Sequence, residues 1–342
     1  MSAFVNGRRV RQTLSFNEKN VDTILKDYLE SMTYTDVASG SSDTLSVTLC
    51  NIDGKWLNRW YPVKGNTISG GLVFKDWKKP GEDLKLGCGI FTMDDIKIRM
   101  SPKTAELSGV SSPADESFKT RERDKTWRGI TIEGIAREIC SRYGLSLSYS
   151  GPSILIEALE QSETDSAFLQ SLCEGYGFGM KIYRRKIVVY DIVEIEAQKA
   201  VATLGLSSFE DASFTDGIYG TYTGARVSYK PADGGEEISV YVGIKAEDAE
   251  GARVLKVNET CSSAAEARRK GAAQVNVSNM KSTTFSGTMF PNPKVCAGVC
   301  VELGKEFGKL SGKYFVDKVE WSVGDQTSQK IEAHKVKKKA VA

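Results

Sequence analysis

The stretch from Thr44 to Trp77, TLSVTLCNIDGKWLNRWYPVKGNTISGGLVFKDW, sets the tightest limit on what this chain can fold into. Leu45, Val47 and Leu49 alternate with Ser46, Thr48 and Cys50, the two-residue period of a half-buried strand. Asp53-Gly54 then turns the chain. Trp56, Leu57, Trp60 and Tyr61 follow at spacings that gather large side chains on one side of a single helical turn, which Pro62 ends. Ile68, Gly70, Leu72 and Phe74 resume the two-residue period. A strand, an aromatic plug and a second strand with a shared buried face close the end of a β-barrel or sandwich.

The rest of the first 110 residues reads as β apart from one helix. Val5-Asn6-Gly7-Arg8 marks a tight turn between two short strands. Val21, Ile24, Leu25 and Tyr28 share a helical face with Asn20 as its cap. Met32 and Tyr34 start a strand that leads to the polar loop Asp36 to Asp43. Lys78 to Asp83 is a turn by composition, and Ile90, Ile96, Ile98 and Met100 belong to two short strands on either side of Asp94-Asp95.

Between Ser111 and Thr126 the chain becomes polar and charged, the character of a linker or exposed loop. Ile132, Ile135, Ala136, Ile139 and Tyr143 then line one helical face, with Gly144 at the position just past the helix end. Ser162 with Asp165 three residues on is a variant capping box for a second helix, whose buried face is Phe168, Leu169, Leu172, Cys173 and Tyr176, closed by Gly177. A hairpin follows, Met180 and Ile182 pairing across Arg184-Arg185 with Ile187, Val188 and Val189.

From Val201 the β character returns, with Tyr219, Thr221 and Thr223 alternating before a strand Ala225 to Tyr229 and a turn Pro231 to Glu236. One helix interrupts, Ser263 to Val277, opened by the capping box Ser263 and Glu266. Thr283 to Met289, Cys300 to Leu303, Tyr314 to Val323 and Lys330 to Val336 read as strands. The expected fold is mainly β with an α+β insert: an antiparallel barrel over 1–112, an α+β module over 113–200, and a second antiparallel barrel over 201–342 that carries the helix 263–277.

Composition narrows the function classes. At 342 residues the chain is long enough for two or three domains. Lys plus Arg at 46 against Asp plus Glu at 44 gives a formal charge of +2, so no whole-chain field favours nucleic acid. No apolar run approaches the roughly 18 residues that span a bilayer, and no secretory pattern opens the chain, which is expected to be made and to fold in the cytoplasm without membrane insertion. Seven scattered cysteines read as reduced, small apolar residues. Cys296 and Cys300 lack a second ligand pair for zinc. A single histidine, His334, argues against the mechanisms built on imidazole.

Each remaining candidate for chemistry has a plainer structural account. Asp94 and Asp95 are adjacent, and neighbours in a strand point to opposite faces. Ser69-Gly70-Gly71 and the run Gly175 to Gly179 lack the Gly-Lys-Ser/Thr of a phosphate loop; the second fits a helix end followed by a strand. Arg268, Arg269 and Lys270 suit a solvated helix face better than a nucleic-acid contact. Trp56 and Trp60 suit a plug better than a sugar platform. The tail Lys337 to Lys339 reads as a solvated terminus. No catalytic, cofactor-binding or metal-ligating residue is assigned.

With the strand and plug segment, extended back to MTYTDVASGSSD, the stretches SETDSAFLQSLCEGYGFGMKIYRRKIVVYD, SSAAEARRKGAAQVN and CAGVCVELGKEFGKLSGKYFVDKVEWSV resemble, in order and spacing, the phage late control D family, the central baseplate hub proteins of contractile tails and related injection machines. The resemblance covers Met32 to His334. It implies a non-enzymatic part with two tube-like barrels per chain, three chains closing a ring of six barrels. That ring joins the six-fold tail tube to the three-fold spike, with other baseplate proteins as neighbours, and passes from assembly in the host bacterial cytoplasm into the virion or tail-like particle. No peptidoglycan hydrolase is seen after Val336, so cell-wall cutting is expected on another chain. The alternative from the residues alone is a peptidoglycan-directed hydrolase or cell-wall carbohydrate-binding module, suggested by the tryptophans, the tyrosines and the α+β module.

Overall fold

Leu45, Val47 and Leu49 form the strand that their alternation predicts, and all three are fully buried. The computed structural model describes residues 8–77, 79–113, 115–230 and 236–342. The turns expected at Val5 to Arg8 and Pro231 to Glu236 lie, for the most part, outside the described residues. The first strands are β1 (Arg9–Phe16), β2 (Lys19–Asn20), β3 (Leu29–Val37), β4 (Thr44–Cys50), β5 (Thr67–Lys75), β6 (Leu84–Met100) and β7 (Lys103–Val110), with the short helix α1 (Asp22–Leu25) after β2. A middle section holds α2 (Ser117–Thr120), β8 (Lys125–Thr131), α3 (Ile132–Arg142), β9 (Ser146–Ser150), β10 (Leu155–Gln161), α4 (Asp165–Gly175), β11 (Phe178–Tyr183), β12 (Lys186–Asp191) and α5 (Ile192–Ala197). The last section runs β13 (Thr203–Leu204), β14 (Phe209–Asp216), β15 (Gly224–Tyr229), β16 (Ile238–Gly243), β17 (Val254–Asn258), α6 (Ala264–Met280), β18 (Thr283–Met289), β19 (Cys300–Leu303), β20 (Gly312–Val323) and β21 (Thr327–Lys335).

The chain is mainly β, as the pattern predicts, and the early and late strands belong to a single 13-stranded sheet. Within it the two sets repeat one topology. In chain order the first set is β1, β3, β4, β5, β6, β7 and lies in the order β3-β4-β7-β6-β5-β1. The second set, β13, β14, β18, β19, β20, β21, lies in the order β14-β18-β21-β20-β19-β13, which is the same permutation. The sets differ at the strand that begins each of them: β1 runs antiparallel to β5, whereas the two-residue β13 runs parallel to β19.

The repetition extends to irregularities. Met93 faces Gly109 and Asp95 faces Ser108, which leaves Asp94 as a bulge in β6. Val316 faces Ala333 and Lys318 faces Glu332, which leaves Asp317 as the bulge in β20. In β3 the step from Leu29 to Ser31 skips Glu30, and in β14 the step from Phe209 to Asp211 skips Glu210. Gly65 and Met93 exchange backbone bonds through Asn66, and Gly298 and Val316 do the same through Val299. Bulges re-aim a strand and are placed features, so the two shared bulges and the shared backbone exchange fix the correspondence residue by residue.

The two sets join where β20 pairs antiparallel with β3, from Lys318 opposite Val37 to Val323 opposite Met32. One apolar core runs through that joint, with Met32, Tyr34, Val319, Trp321 and Val323 all buried in it. The aromatic plug forms only in part: Trp56 is buried and Trp60 meets it edge-on at 5.4 Å, whereas Leu57 and Tyr61, expected on the same buried side, are exposed.

Two smaller units grow from the sheet. The middle section packs α3 and α4 on the β11-β12-β9 sheet and the β8-β10 ribbon around its own core. The expected cap of α4 shifts from Ser162 to Thr164, whose side chain accepts from the Ala167 N–H. The stretch expected as a linker contributes to this core, where Phe118 on α2 is fully buried against Tyr143. In the last section α6 and the strand Ala225 to Tyr229 leave the main sheet and form a separate unit with β16 and β17. Gly271 makes that approach possible, since an added Cβ would lie 2.7 Å from Val227. The two strands expected around Asp94-Asp95 are one 17-residue strand, because a bulge bends a ladder without ending it.

Candidate functional site

The residues singled out for chemistry act as joints. His334, on β21, is buried between Asp317, whose carboxylate lies 2.8 Å from Nδ1, and Glu196 of α5, 3.3 Å from Nε2. Burial opposes the imidazolium, but the bonds to Asp317 and Glu196 outweigh it and push His334 up to about 9. Lys339 reaches the same Glu196 oxygen at 2.7 Å, and Ala340 is buried with both backbone groups bonded to Asn276. The tail expected to be solvated is therefore pinned. Arg269 and Lys270 are likewise held: Arg269 pairs with Asp191 and donates to the Tyr176 carbonyl, and Lys270 pairs with Glu266.

A second buried group fastens the middle section to the sheet. Lys181 of β11 lies 2.6 Å from Asp36 and 3.3 Å from Asp43. Burial pushes the Asp43 carboxyl up to about 6 against the pull of Lys181. Thus the two acid pairs that the fold assembles, Asp36 with Asp43 and Glu196 with Asp317, are each bridged by a cation. Asp94 and Asp95 are exposed at the bulge. Among the described residues no cluster of metal-ligating side chains forms, and no helix is long and apolar enough to cross a membrane.

What remains exposed and unspent is backbone. β6 pairs with β5 as far as Thr92 and with β7 from Thr92 onward, so the edge of Asp95 to Met100 facing away from β7 has no strand partner among the described residues. Among the described residues β14 pairs only with β18, so its outer edge is open as well. Open edges carry unpaired N–H and C=O groups and template further pairing. Sequence patterning identified neither edge: β6 was expected as two short strands, and the alternation expected at Tyr219, Thr221 and Thr223 falls outside any strand, just after β14.

The side chains on these edges match the closed joint. The buried Val319, Trp321 and Val323 of β20 correspond to Ile96, Ile98 and Met100 of β6; Val323 is 3% exposed and Met100 is 65% exposed. Tyr34 and Met32 of β3 correspond to Phe214 and Ala212 of β14, both half-buried.

No family model matches the chain. It is 28% identical over 179 residues to the "Probable baseplate hub protein" of Escherichia phage P2, and 26% identical over 178 residues to that of Escherichia phage 186. Each alignment covers 51% of this chain and 43% of the relative, so the match spans less than half the length of those proteins. Among solved structures, the 43 kDa tail protein of prophage MuSo2 from Shewanella oneidensis is similar at a TM-score of 0.68, over 95% of this chain and 98% of that one, at 15% identity. A tail protein from Neisseria meningitidis MC58 gives 0.69 at 13% identity, over 96% and 97%. An Escherichia coli component of the type VI secretion system, itself described as similar to T4 tail proteins, gives 0.56 at 12% identity, over 97% and 78%. At these identities the structures show the fold. Through half of its sequence the chain is similar to proteins named as probable baseplate hub proteins of two phages, and over nearly all of its length it shares the fold of solved phage tail proteins.

Proposed function

We propose that this protein is a non-enzymatic hub of a contractile tail or tail-like injection particle, a homotrimeric ring of six β units that joins a six-fold tube to a three-fold spike. The observation that carries this is the repeated topology with one joint closed inside the chain and its counterpart left open at both ends. A heterologous contact of that kind generates a ring when the rotation closes. The two ring units fall within 1–112 and 201–342, with 113–200 as the module between them.

The ends of the ring differ in symmetry. The β6–β7 and β20–β21 turns emerge at one end, together with the ends of β4 and β18, once per set. At the opposite end the first set continues from β7 into the middle section, and the second carries the α6 unit between β14 and β18. The first end presents related elements six times per trimer and suits a six-fold tube. The second presents each unit three times and suits a spike.

Mixing the chain with the tube protein of the same particle and imaging the product tests this reading. Tube ends capped by a ring of this chain support it; tubes left bare count against it. A zymogram on cell-wall sacculi is expected to be blank, and clearing would favour the hydrolase reading.

A further inference from the structure

We infer that β6 of one copy and β14 of the next pair antiparallel in one register: Asp95 opposite Gly217, Lys97 opposite Thr215, Ile98 opposite Phe214 and Met100 opposite Ala212. This rests on the ring reading above and names the strands and register that close the ring.

The closed joint supplies the template. Lys318 pairs with Val37, Glu320 with Thr35, Trp321 with Tyr34 and Val323 with Met32. The paired bulges at Asp94 and Asp317, and at Glu30 and Glu210, carry each of those positions onto β6 and β14 without an adjustable offset. A one-residue slip would put the apolar side chains of one strand on the face opposite to those of the other.

Three further observations fit the same register. At the closed joint the Ala38 N–H donates to the Asp317 carbonyl at 2.8 Å. The counterpart between copies runs from the Ile218 N–H to the Asp94 carbonyl, and Ile218 is 71% exposed where Ala38 is 4% exposed. The apolar pair Ile98 and Phe214 takes the place of the buried Trp321 and Tyr34. One charge pair fits as well: the register sets Arg99 of β6 diagonal to Asp211 of β14.

Oxidative cross-linking of the full chain tests the register. Lys97→Cys with Thr215→Cys places both thiols on exposed strand positions, so folding is spared. Glu320→Cys with Thr35→Cys is the internal control and is expected to close within one chain. Lys97→Cys with Asp216→Cys reports a slip, because those side chains stand on opposite faces in the inferred register. The expected result is disulfide-linked multimers whose peptide map shows the 97–215 bond, with the 97–216 pair at least tenfold less coupled. Three-copy particles that lack the 97–215 bond, or that favour 97–216, overturn the register and leave the ring standing. A chain that stays single at every concentration overturns both.

Discussion

Trp321 stands directly opposite Tyr34 across the strand pair that makes one sheet of the two halves. Its ring also meets Phe74 at 5.7 Å, so it packs the β5 layer onto the joint. Replacing Trp321 by Ala removes the largest side chain of that contact, and large-to-small changes of this kind cost about 3–5 kcal/mol. Urea unfolding is expected to shift by that amount in a single transition, because the core runs through the joint.

The same substitution should have opposite consequences at the closed and open edges. Val323→Asp buries an unpaired charge in the core and is expected to prevent soluble folding. Met100→Asp, at the matched exposed position, is expected to leave the melting temperature within a degree or two. It should weaken self-association at least tenfold by sedimentation.

Alkaline pH should loosen the joint around His334. The imidazole stands at 6.5 unfolded and about 9 folded. Its contribution is therefore fully present below 6.5 and is lost as pH rises through 9. Asp317 is half-exposed, so screening holds the effect to about 2 kcal/mol. His334→Gln is expected to be less stable at pH 6 and to show a flatter stability curve between pH 6.5 and 9 in denaturant titrations.

Asp165 holds the middle section together. It accepts from Arg123, Arg142, Tyr143 and Gln161 while fully buried. Burial opposes its charge, but the bonds from Arg142, Tyr143 and Gln161 hold the carboxyl below the usual range. Asp165→Ala removes the carboxylate that Arg123 and Arg142 share and is expected to cost about 3 kcal/mol. Thr164→Ala, which removes the cap of α4, should cost about 1 kcal/mol, whereas Ser162→Ala should be neutral; thermal unfolding distinguishes them.

Strands with regular alternation were legible in the sequence: β4, β18 and β19 fall where the pattern puts them. The bulges were not, because an extra residue such as Asp94 interrupts the period and mimics a break between strands. Two similar β units were expected, but their residue-by-residue match was hidden for a related reason. Matched positions such as Ile98 and Trp321, or Met100 and Val323, share only apolar character, and the order of pairing is invisible without partners. The fate of α6 was misread because a helix between two strands says nothing about which sheet those strands join. The pinned tail escaped for want of any local signal, since Lys339 finds Glu196 across 143 residues of chain.

The mass of the self-assembled chain, by native mass spectrometry or sedimentation equilibrium, bears most directly on the central claim that one closed joint and one open copy of it build a ring. Three copies, about three times 37.4 kDa, are expected, with Met100→Asp shifting the population to single chains. A wild-type protein that remains at one copy under all conditions, including with the proposed tube and spike partners, would contradict the account.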